Sequence, residues 1–185
     1  MNNNFKGLIL IILGMSFFIV QDTLIKLTVN DLSLLQILVF RATVGIIILI
    51  CYLLYKKEEI VFTSAYPFVA TFRGFFFFIG FLLFFISIGK ISLAEATSLF
   101  FVSPLFITIL SHFILKNKIG INRILSVFVG FIGTIFIIKP SFTDINIYMI
   151  FPIFTALTYS ISMLLARKTA GEDTLFQQTF HIYIG

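Results

Sequence analysis

The chain has 185 residues, of which 59% are hydrophobic and 11% are charged, and it carries a formal net charge of +5. Soluble domains contain about a quarter charged residues, so this chain cannot cover a water-soluble fold with polar surface. Its mean hydropathy of +1.12 instead predicts an all-α integral membrane protein, a multi-span helical bundle.

Cys51 is the single cysteine and lies inside an apolar run. No disulfide, zinc cluster or haem motif can be built from it, so the sequence predicts neither a metal nor a cofactor. The basic residues lie in short clusters between apolar runs, which is typical of loops beside anionic lipid. We therefore expect the lipid bilayer as a partner, and no nucleic acid.

Seven apolar segments separated by polar residues predict six complete membrane spans and the start of a seventh. Their expected limits are about Gly7 to Val29, Ser33 to Tyr55, Pro67 to Ile88, Ser92 to Leu115, Ile121 to Ile138, Ile147 to Ala166 and Leu175 to Gly185. Lys6 and the apolar run after it resemble a signal peptide, but no small-residue cleavage site follows. The first segment is therefore interpreted as an uncleaved span.

The orientation of the spans follows from the basic residues, which favour the cytoplasmic side. With the N-terminus in the cytoplasm, only Lys90 and Lys139 fall in outside loops. The basic residues then predicted to face the cytoplasm are Lys6, Lys56, Lys57, Lys116, Lys118, Arg123, Arg167 and Lys168. The sequence therefore predicts a multi-pass protein of the cell (inner) membrane with a cytoplasmic N-terminus.

The sequence around the end of the first span, DTLIKLTVNDLSLLQ, is similar to the sequence around the end of the sixth, SMLLARKTAGEDTLFQQ. The resulting pairs are Lys26 with Arg167, Thr28 with Thr169 and, after one gap, Asp31 with Asp173 and Gln36 with Gln178. A repeat of this kind is five helices long, so its second copy enters the membrane inverted, as in many secondary transporters. A chance similarity is the alternative.

Ionisable residues inside spans are costly to bury and are therefore candidates for function. Asp22, Lys26, Arg41 and Glu95 all fall in the outer half of their predicted spans. We predict that Asp22 and Arg41 are partners on consecutive antiparallel spans, because pairing reduces the cost of burying either charge. The alternative is a pair that only holds the two helices together. Lys26 is expected to extend towards the membrane interface.

The fourth span contains Ser103 and Pro104 in its middle, where proline removes a backbone hydrogen bond. Because lipid cannot satisfy the freed carbonyl, the break and Glu95 are predicted to face a transport pathway. The alternative is a structural kink with Glu95 at the interface. His112 and Arg73 lie near the cytoplasmic ends of their spans. They are interpreted first as a packing residue and an anchor, and second as cytoplasmic-side pathway residues.

Small residues mark positions where membrane helices can approach closely. This role is predicted for Ala70, Gly74 and Gly80 in the third span and for Gly130 and Gly133 in the fifth. The sequence contains no HExxH, GxSxG or Walker motif and no paired acidic motif for Mg-diphosphate, so an enzyme is not predicted.

Several stretches together resemble the drug/metabolite transporter superfamily, EamA-type. They are SLAEATSLFFVSPLFITILSHFIL, INRILSVFVGFIGTIFIIKPS, FRG of the third span, QDTLIK of the first and FRA of the second. The spacing of Asp22 and Lys26, together with FRG, is similar to the S-adenosylmethionine importer branch. The resemblance implies ten helices in two inverted five-helix repeats, with a central cavity lined here by spans one, three and four. One departure is Asn117, which stands where the family often has a glutamate.

Taken together, residues 1–140 are predicted to form a first five-helix repeat and residues 141–185 the start of a second. The expected function is secondary transport of a small organic metabolite, driven by protons or by the gradient of the substrate. The rivals are a membrane scaffold without a pathway and a membrane-embedded enzyme. We expect a truncated product or partial gene model lacking its second half; the alternative is a half-transporter that works as a homodimer.

Overall fold

The computed structural model describes residues 3–28, 31–57, 61–116, 120–138 and 146–184. Within them the chain forms one short 3-10 helix, Ile147–Met149, and α-helices but no strand. The α-helices are α1 (Asn3–Thr28), α2 (Leu34–Lys56), α3 (Pro67–Ile88), α4 (Leu93–Phe100), α5 (Ser103–Leu115), α6 (Ile121–Ile138), α7 (Ile150–Thr169) and α8 (Leu175–Ile184). Residues 117 and 118, the expected end of the first repeat at residues 139–140, and the limits Val29 and Gly185 lie outside the described residues.

Five segments in the described part of the chain are long and apolar enough to cross a membrane. They are Gly7–Thr28, Leu34–Lys56, Pro67–Ile88, Leu93–Leu115 and Ile147–Thr169. Each covers at least the roughly 20 residues that a bilayer requires. The predicted multi-span helical membrane protein is thus confirmed.

The fourth span is broken into α4 and α5 at Phe101–Val102, directly before Ser103 and Pro104. Pro104 lies in the first turn of α5, where its missing N–H costs no helical hydrogen bond within α5. The Val102 carbonyl accepts the first bonds of the new helix, from the N–H groups of Leu105 and Phe106. The break predicted from proline is therefore present.

Helices α3 and α7 form the centre of the bundle, and their contact is built on small residues. Ala70, Gly74 and Ala156 are buried, and a Cβ atom added at Gly80 would lie 2.8 Å from Thr158 Oγ1. The two backbones therefore approach closely, as predicted for the third span. In the described residues no such approach is found at Gly130 or Gly133, where nothing lies within 4 Å of an added Cβ.

Hydroxyl groups of α7 also join it to its neighbours. Thr155 Oγ1 donates to the Gly80 carbonyl at 3.0 Å, and Ser160 Oγ donates to the Ser103 carbonyl at 3.1 Å. Ser162 Oγ donates to the Arg73 carbonyl at 3.1 Å. Such bonds between hydroxyls and backbone stabilise helix pairs where water is absent. Helix α7 thereby connects α3 with the beginning of α5.

Helix α1 lies at the periphery, and most of its apolar side chains are exposed. Lys26 attaches its last turn to α3: the ammonium group donates to the carbonyls of Ile88 and Ile91, the latter at 2.9 Å. A cation at these carbonyls complements the negative end of the α3 dipole. Lys26 was expected to extend to the interface, but these acceptors at the end of α3 hold it against the protein instead.

Two turns have the same hydrogen bonds although they lie far apart in the sequence. The Thr28 carbonyl accepts from the N–H groups three and four residues later, both at 3.0 Å, and the Thr169 carbonyl does the same. The next helices begin with the same reciprocal cap, Ser33 with Gln36 and Thr174 with Gln177. We call these the first turn (28–36) and the second turn (169–177).

Candidate functional site

A cavity of about 230 Å³ lies between α2, α3 and α8, and Arg41 is the charged residue on its wall. The other lining residues are apolar or aromatic: Leu35, Leu38, Val39, Ala42, Phe77, Phe78, Phe81, Ile182 and Tyr183. The two features together, a mostly apolar wall and one fixed charge, are typical of small-molecule binding sites. We call this space the Arg41 cavity.

Arg41 is held by an aromatic ring and not by an acid. Its guanidinium carbon lies 3.8 Å from the centroid of the Phe81 ring, an arrangement that stabilises a cation. None of the described residues accepts a hydrogen bond from Arg41, although a guanidinium has five donors in a planar fork. Because those donors are left without acceptors in the described part of the chain, the group is suited to bind an anionic partner such as a carboxylate.

The predicted partner of Arg41 is near but not in contact with it. Asp22 and Arg41 act on each other electrostatically, yet they form no ion pair within 4 Å. Helices α1 and α2 pack mainly on other helices and have little contact with each other. Asp22 therefore lies beside the Arg41 cavity as a second, opposite charge that does not occupy the guanidinium.

Tyr183 of α8 forms part of the cavity wall through a close contact with α2. A Cβ atom added at Gly45 would lie 2.5 Å from Tyr183 Cζ, so only glycine leaves room for the ring there. Neither residue was a sequence candidate. The signal available in the sequence was a glycine one turn after Arg41, which alone does not indicate which aromatic residue it would contact.

Glu95 has a local role at the start of α4. Its carboxylate accepts from the Ser92 N–H at 3.0 Å and from Ser92 Oγ at 2.8 Å, and its own N–H donates to Ser92 Oγ. This reciprocal cap satisfies donors at the helix N-terminus and places a negative charge where the helix dipole favours it. The structure does not bring Glu95 to the wall of the Arg41 cavity.

The break in the fourth span is packed against α7 and also lies away from the Arg41 cavity. Ser103 is buried and its carbonyl accepts from Ser160, whereas Pro104 is exposed. Ser160 thus holds the start of α5 against α7. Ser103 and Pro104 do not line the Arg41 cavity, and their place in a transport pathway stays a prediction.

Arg73 is 1% exposed and so is not the interfacial anchor that we favoured from the sequence. Its guanidinium donates to the Gln178 carbonyl of α8, while its Nε is buried without an acceptor among the described residues. His181 Nε2, also on α8, is buried in the same unpartnered way. The α3–α8 contact therefore holds donors that the described residues leave unused. His112, by contrast, is exposed, and its ring lies 5.4 Å from that of Phe113.

A cluster of hydrogen bonds around Asp173 lies at the same end of the bundle. Asp173 is 7% exposed and accepts from Ser64 Oγ at 2.7 Å and from the Ala65 N–H at 2.8 Å. Gln177 Nε2 donates to the Thr63 carbonyl at 2.6 Å. This Asp173 cluster (Thr63, Ser64, Ala65, Asp173 and Gln177) attaches the segment before α3 to the second turn.

No group of three or more histidine, cysteine or acidic side chains in the described ranges is arranged to hold a metal ion. The described part offers groups that can bind a molecule: one guanidinium on an aromatic wall and one nearby carboxylate. The Asp173 cluster of hydrogen bonds lies at one end of the bundle.

The sequence is similar to a family of membrane transporters and to individual transporters. The model of the EamA-like transporter family matches residues 5–139. The S-adenosylmethionine uptake transporter of Rickettsia prowazekii (strain Madrid E) is 26% identical over 162 residues, which is 88% of this chain and 55% of the relative. The pseudopaline exporter CntI of Pseudomonas aeruginosa (strain UCBPP-PA14) is 23% identical over 177 residues, 95% of this chain and 62% of the relative.

A shorter match joins this chain to the riboflavin transporter of Vibrio cholerae, which is 31% identical over 80 residues, 43% of this chain and 27% of the relative. The chain spans a little over half the length of the Rickettsia relatives it matches. No solved structure matches significantly.

Proposed function

The chain belongs to the EamA-like transporter family, and from this premise we propose that it contributes to secondary transport of a small organic metabolite across the cell (inner) membrane. The observation that supports a pathway is the Arg41 cavity, which opens between three helices and presents a guanidinium that no described residue pairs with. A charge within a membrane span is costly to bury, so a charge that is found there is a candidate for function. A membrane scaffold would have no use for such a group in a cavity.

The substrate proposed for this cavity carries a carboxylate and a flat ring. Arg41 offers a planar fork of donors that matches a carboxylate, and Phe77 and Phe81 offer ring faces beside it. Asp22 would favour a positive group on the same molecule. S-adenosylmethionine has all three features, and it is the molecule named for the Rickettsia relatives. It is therefore the first substrate to test.

The proposed mechanism is alternating access between two inverted repeats, with residues 1–140 as the first repeat and residues 141–185 as the start of the second. The two turns support this, since an offset of 141 residues relates them without a gap. The matching hydrogen bonds favour an ungapped alignment that pairs Asp31 with Glu172 and Gln36 with Gln177. The sequence similarity alone had suggested an alignment with one gap. The Asp173 cluster would close the cytoplasmic end, opposite Lys26.

The remaining wall of the cavity is proposed to come from a second set of spans, supplied by further chain or by a second copy. The relatives support this, because the chain covers little more than half of the S-adenosylmethionine transporters. With the N-terminus in the cytoplasm, as proposed from the basic residues, the second turn and the Asp173 cluster face the cytoplasm.

The test is uptake of radiolabelled S-adenosylmethionine by cells expressing the protein, unaltered or with Arg41 replaced. Arg41→Gln is expected to reduce uptake by about tenfold or more, because one charge-assisted contact is typically worth 1.5–3 kcal/mol. Arg41→Lys should be intermediate, since it keeps the charge but loses the fork. The exposed Lys90 supplies the matched control, and Lys90→Gln should transport normally.

Membrane levels of each variant are measured by an epitope tag, so that lost expression is not read as lost transport. Equal uptake in Arg41→Gln and unaltered protein would contradict the assignment of Arg41. Absence of binding and uptake of any carboxylate-bearing metabolite, with normal expression, would favour the scaffold.

A further inference from the structure

A second cavity, of about 540 Å³, lies where α5 and α7 end. Its lining combines three basic residues with two aliphatic ones: Lys116, Arg167, Lys168, Ile114 and Leu115. All three basic residues are exposed. Within the ranges that the structure describes, none of them forms an ion pair or a side-chain hydrogen bond. The cavity is thus a concave surface of uncompensated positive charge.

The local structure explains why the cations are at helix ends, but not why they share one cavity. A cation in the last turn of a helix is favoured by the carbonyl groups there. Lys116 caps α5 in the left-handed conformation, with φ of 54° and its N–H bonded to the Ser111 carbonyl. Arg167 and Lys168 occupy the last turn of α7. Three like charges around one space repel each other, so an anion between them would lower the electrostatic energy.

The two aliphatic residues indicate what kind of anion fits. Ile114 and Leu115 are the last residues of a candidate span, where we expect the acyl chains to end, and the basic residues lie at or just beyond the span ends, where we expect the headgroups. A free phosphate ion would contact only the basic residues. A phospholipid would place its phosphate among the cations and its acyl chain along the aliphatic residues.

We propose that this cavity binds the headgroup of an anionic phospholipid, whose phosphate oxygens accept hydrogen bonds from Lys116, Arg167 and Lys168. The guanidinium of Arg167 suits a phosphate because it can donate two parallel bonds. Basic pockets between spans on the cytoplasmic side are of the kind that recognise lipid headgroups. This site is separate from the Arg41 cavity and does not depend on transport.

The test is native mass spectrometry of the purified protein in detergent with equal amounts of dioleoylphosphatidylglycerol and dioleoylphosphatidylcholine. The unaltered protein is expected to retain phosphatidylglycerol with a preference of about tenfold or more, given the usual attraction per basic residue. A Lys116→Gln, Arg167→Gln, Lys168→Gln triple variant should lose most of that preference. A Lys56→Gln, Lys57→Gln, Lys90→Gln variant has the same change in net charge and should keep it.

Equal loss in the two triple variants would show a general charge effect and overturn the site, as would an unchanged preference in the first. Size-exclusion chromatography establishes that each variant is folded. A measurement on the unaltered protein guards against a misfolded variant: inorganic phosphate, added in excess, should displace little phosphatidylglycerol. Complete displacement by phosphate would identify a soluble-anion site and reject the lipid.

Discussion

The first and second turns share a pattern of hydrogen bonds but differ in how they are attached to the rest of the molecule. Each has a threonine carbonyl that accepts two N–H groups and a hydroxyl–glutamine cap. At the position before the cap the first turn has Leu32, which is 51% exposed, and the second has Asp173, which is 7% exposed. The apolar residue is exposed and the acid is buried, which is the reverse of what hydropathy predicts.

The comparison separates local from tertiary causes of structure. Threonine, the small turn and the cap are enough to form the same turn twice, because their hydrogen bonds lie within the segment. The second turn is attached to the segment before α3 by one carboxylate with two donors and by the Gln177 amide, which donates to the Thr63 carbonyl. A buried acid is tolerated where its oxygens accept hydrogen bonds. The first turn has no corresponding side-chain bond to another element in the described part of the chain.

The strongest way to break this comparison is to remove the acid that distinguishes the second turn. Asp173→Ala leaves Ser64 Oγ and the Ala65 N–H without their acceptor, at a cost of about 3 kcal/mol. Unfolding in mixed detergent–SDS micelles measures the loss. The neighbouring Glu172 is exposed, so Glu172→Ala is the matched control and should change stability by less than about 0.5 kcal/mol. Similar losses for the two variants would contradict the role given to Asp173.

The two cap glutamines sharpen the comparison at an intermediate level. Gln36→Ala removes the bond to the Ser33 N–H, with an expected cost of about 0.5–1 kcal/mol. Gln177→Ala removes the equivalent bond and also the one to the Thr63 carbonyl, so about 2 kcal/mol is expected. The difference between the two losses, from the same unfolding measurement, combines the tertiary bond to Thr63 with the bond that Thr174 Oγ1 donates to Gln177. Equal losses would mean that the bond to Thr63 contributes nothing.

The smallest effect is expected when the acid is placed in the first turn. Leu32→Asp removes an exposed leucine and adds a carboxylate with no prearranged donors, so stability should change by less than about 0.5 kcal/mol. Combining it with Asp173→Ala should therefore leave the loss of the single variant unchanged, since distant sites add. Recovery of stability in the double variant would show that the acid acts through total charge and not through Ser64 and Ala65.

The sequence predicted the parts of the fold that depend on composition and on neighbouring residues. Apolar runs predicted the spans, and Pro104 predicted the break, because proline lacks a donor wherever it stands. The close approach at Gly80 was also predicted from residue type alone, because glycine has no side chain to keep a neighbouring helix away. At Gly130 and Gly133 no close approach is found in the described residues, because a small residue permits contact but does not bring another helix to it.

The candidate site was less accessible, since its contacts join distant parts of the chain. Arg41 and Asp22 were chosen because charge in a span is costly, but the ring of Phe81 that holds Arg41 could not be foreseen. Tyr183 and Asp173 had no signal beyond their residue type. Sequence similarity also paired Asp31 with Asp173, whereas the hydrogen bonds of the two turns match Asp31 with Glu172.

The broken fourth span has a consequence for bilayer thickness. At about 1.5 Å per residue, the 8 residues of α4 extend about 12 Å and the 13 of α5 about 20 Å. Neither crosses the hydrocarbon core of about 30 Å alone, so they must act in series. A straight helix adapts to a thinner or thicker membrane by tilting as a whole. Here the span has a second means of adapting, because a change of angle at Phe101–Val102 would alter its height while α5 stays packed on α7.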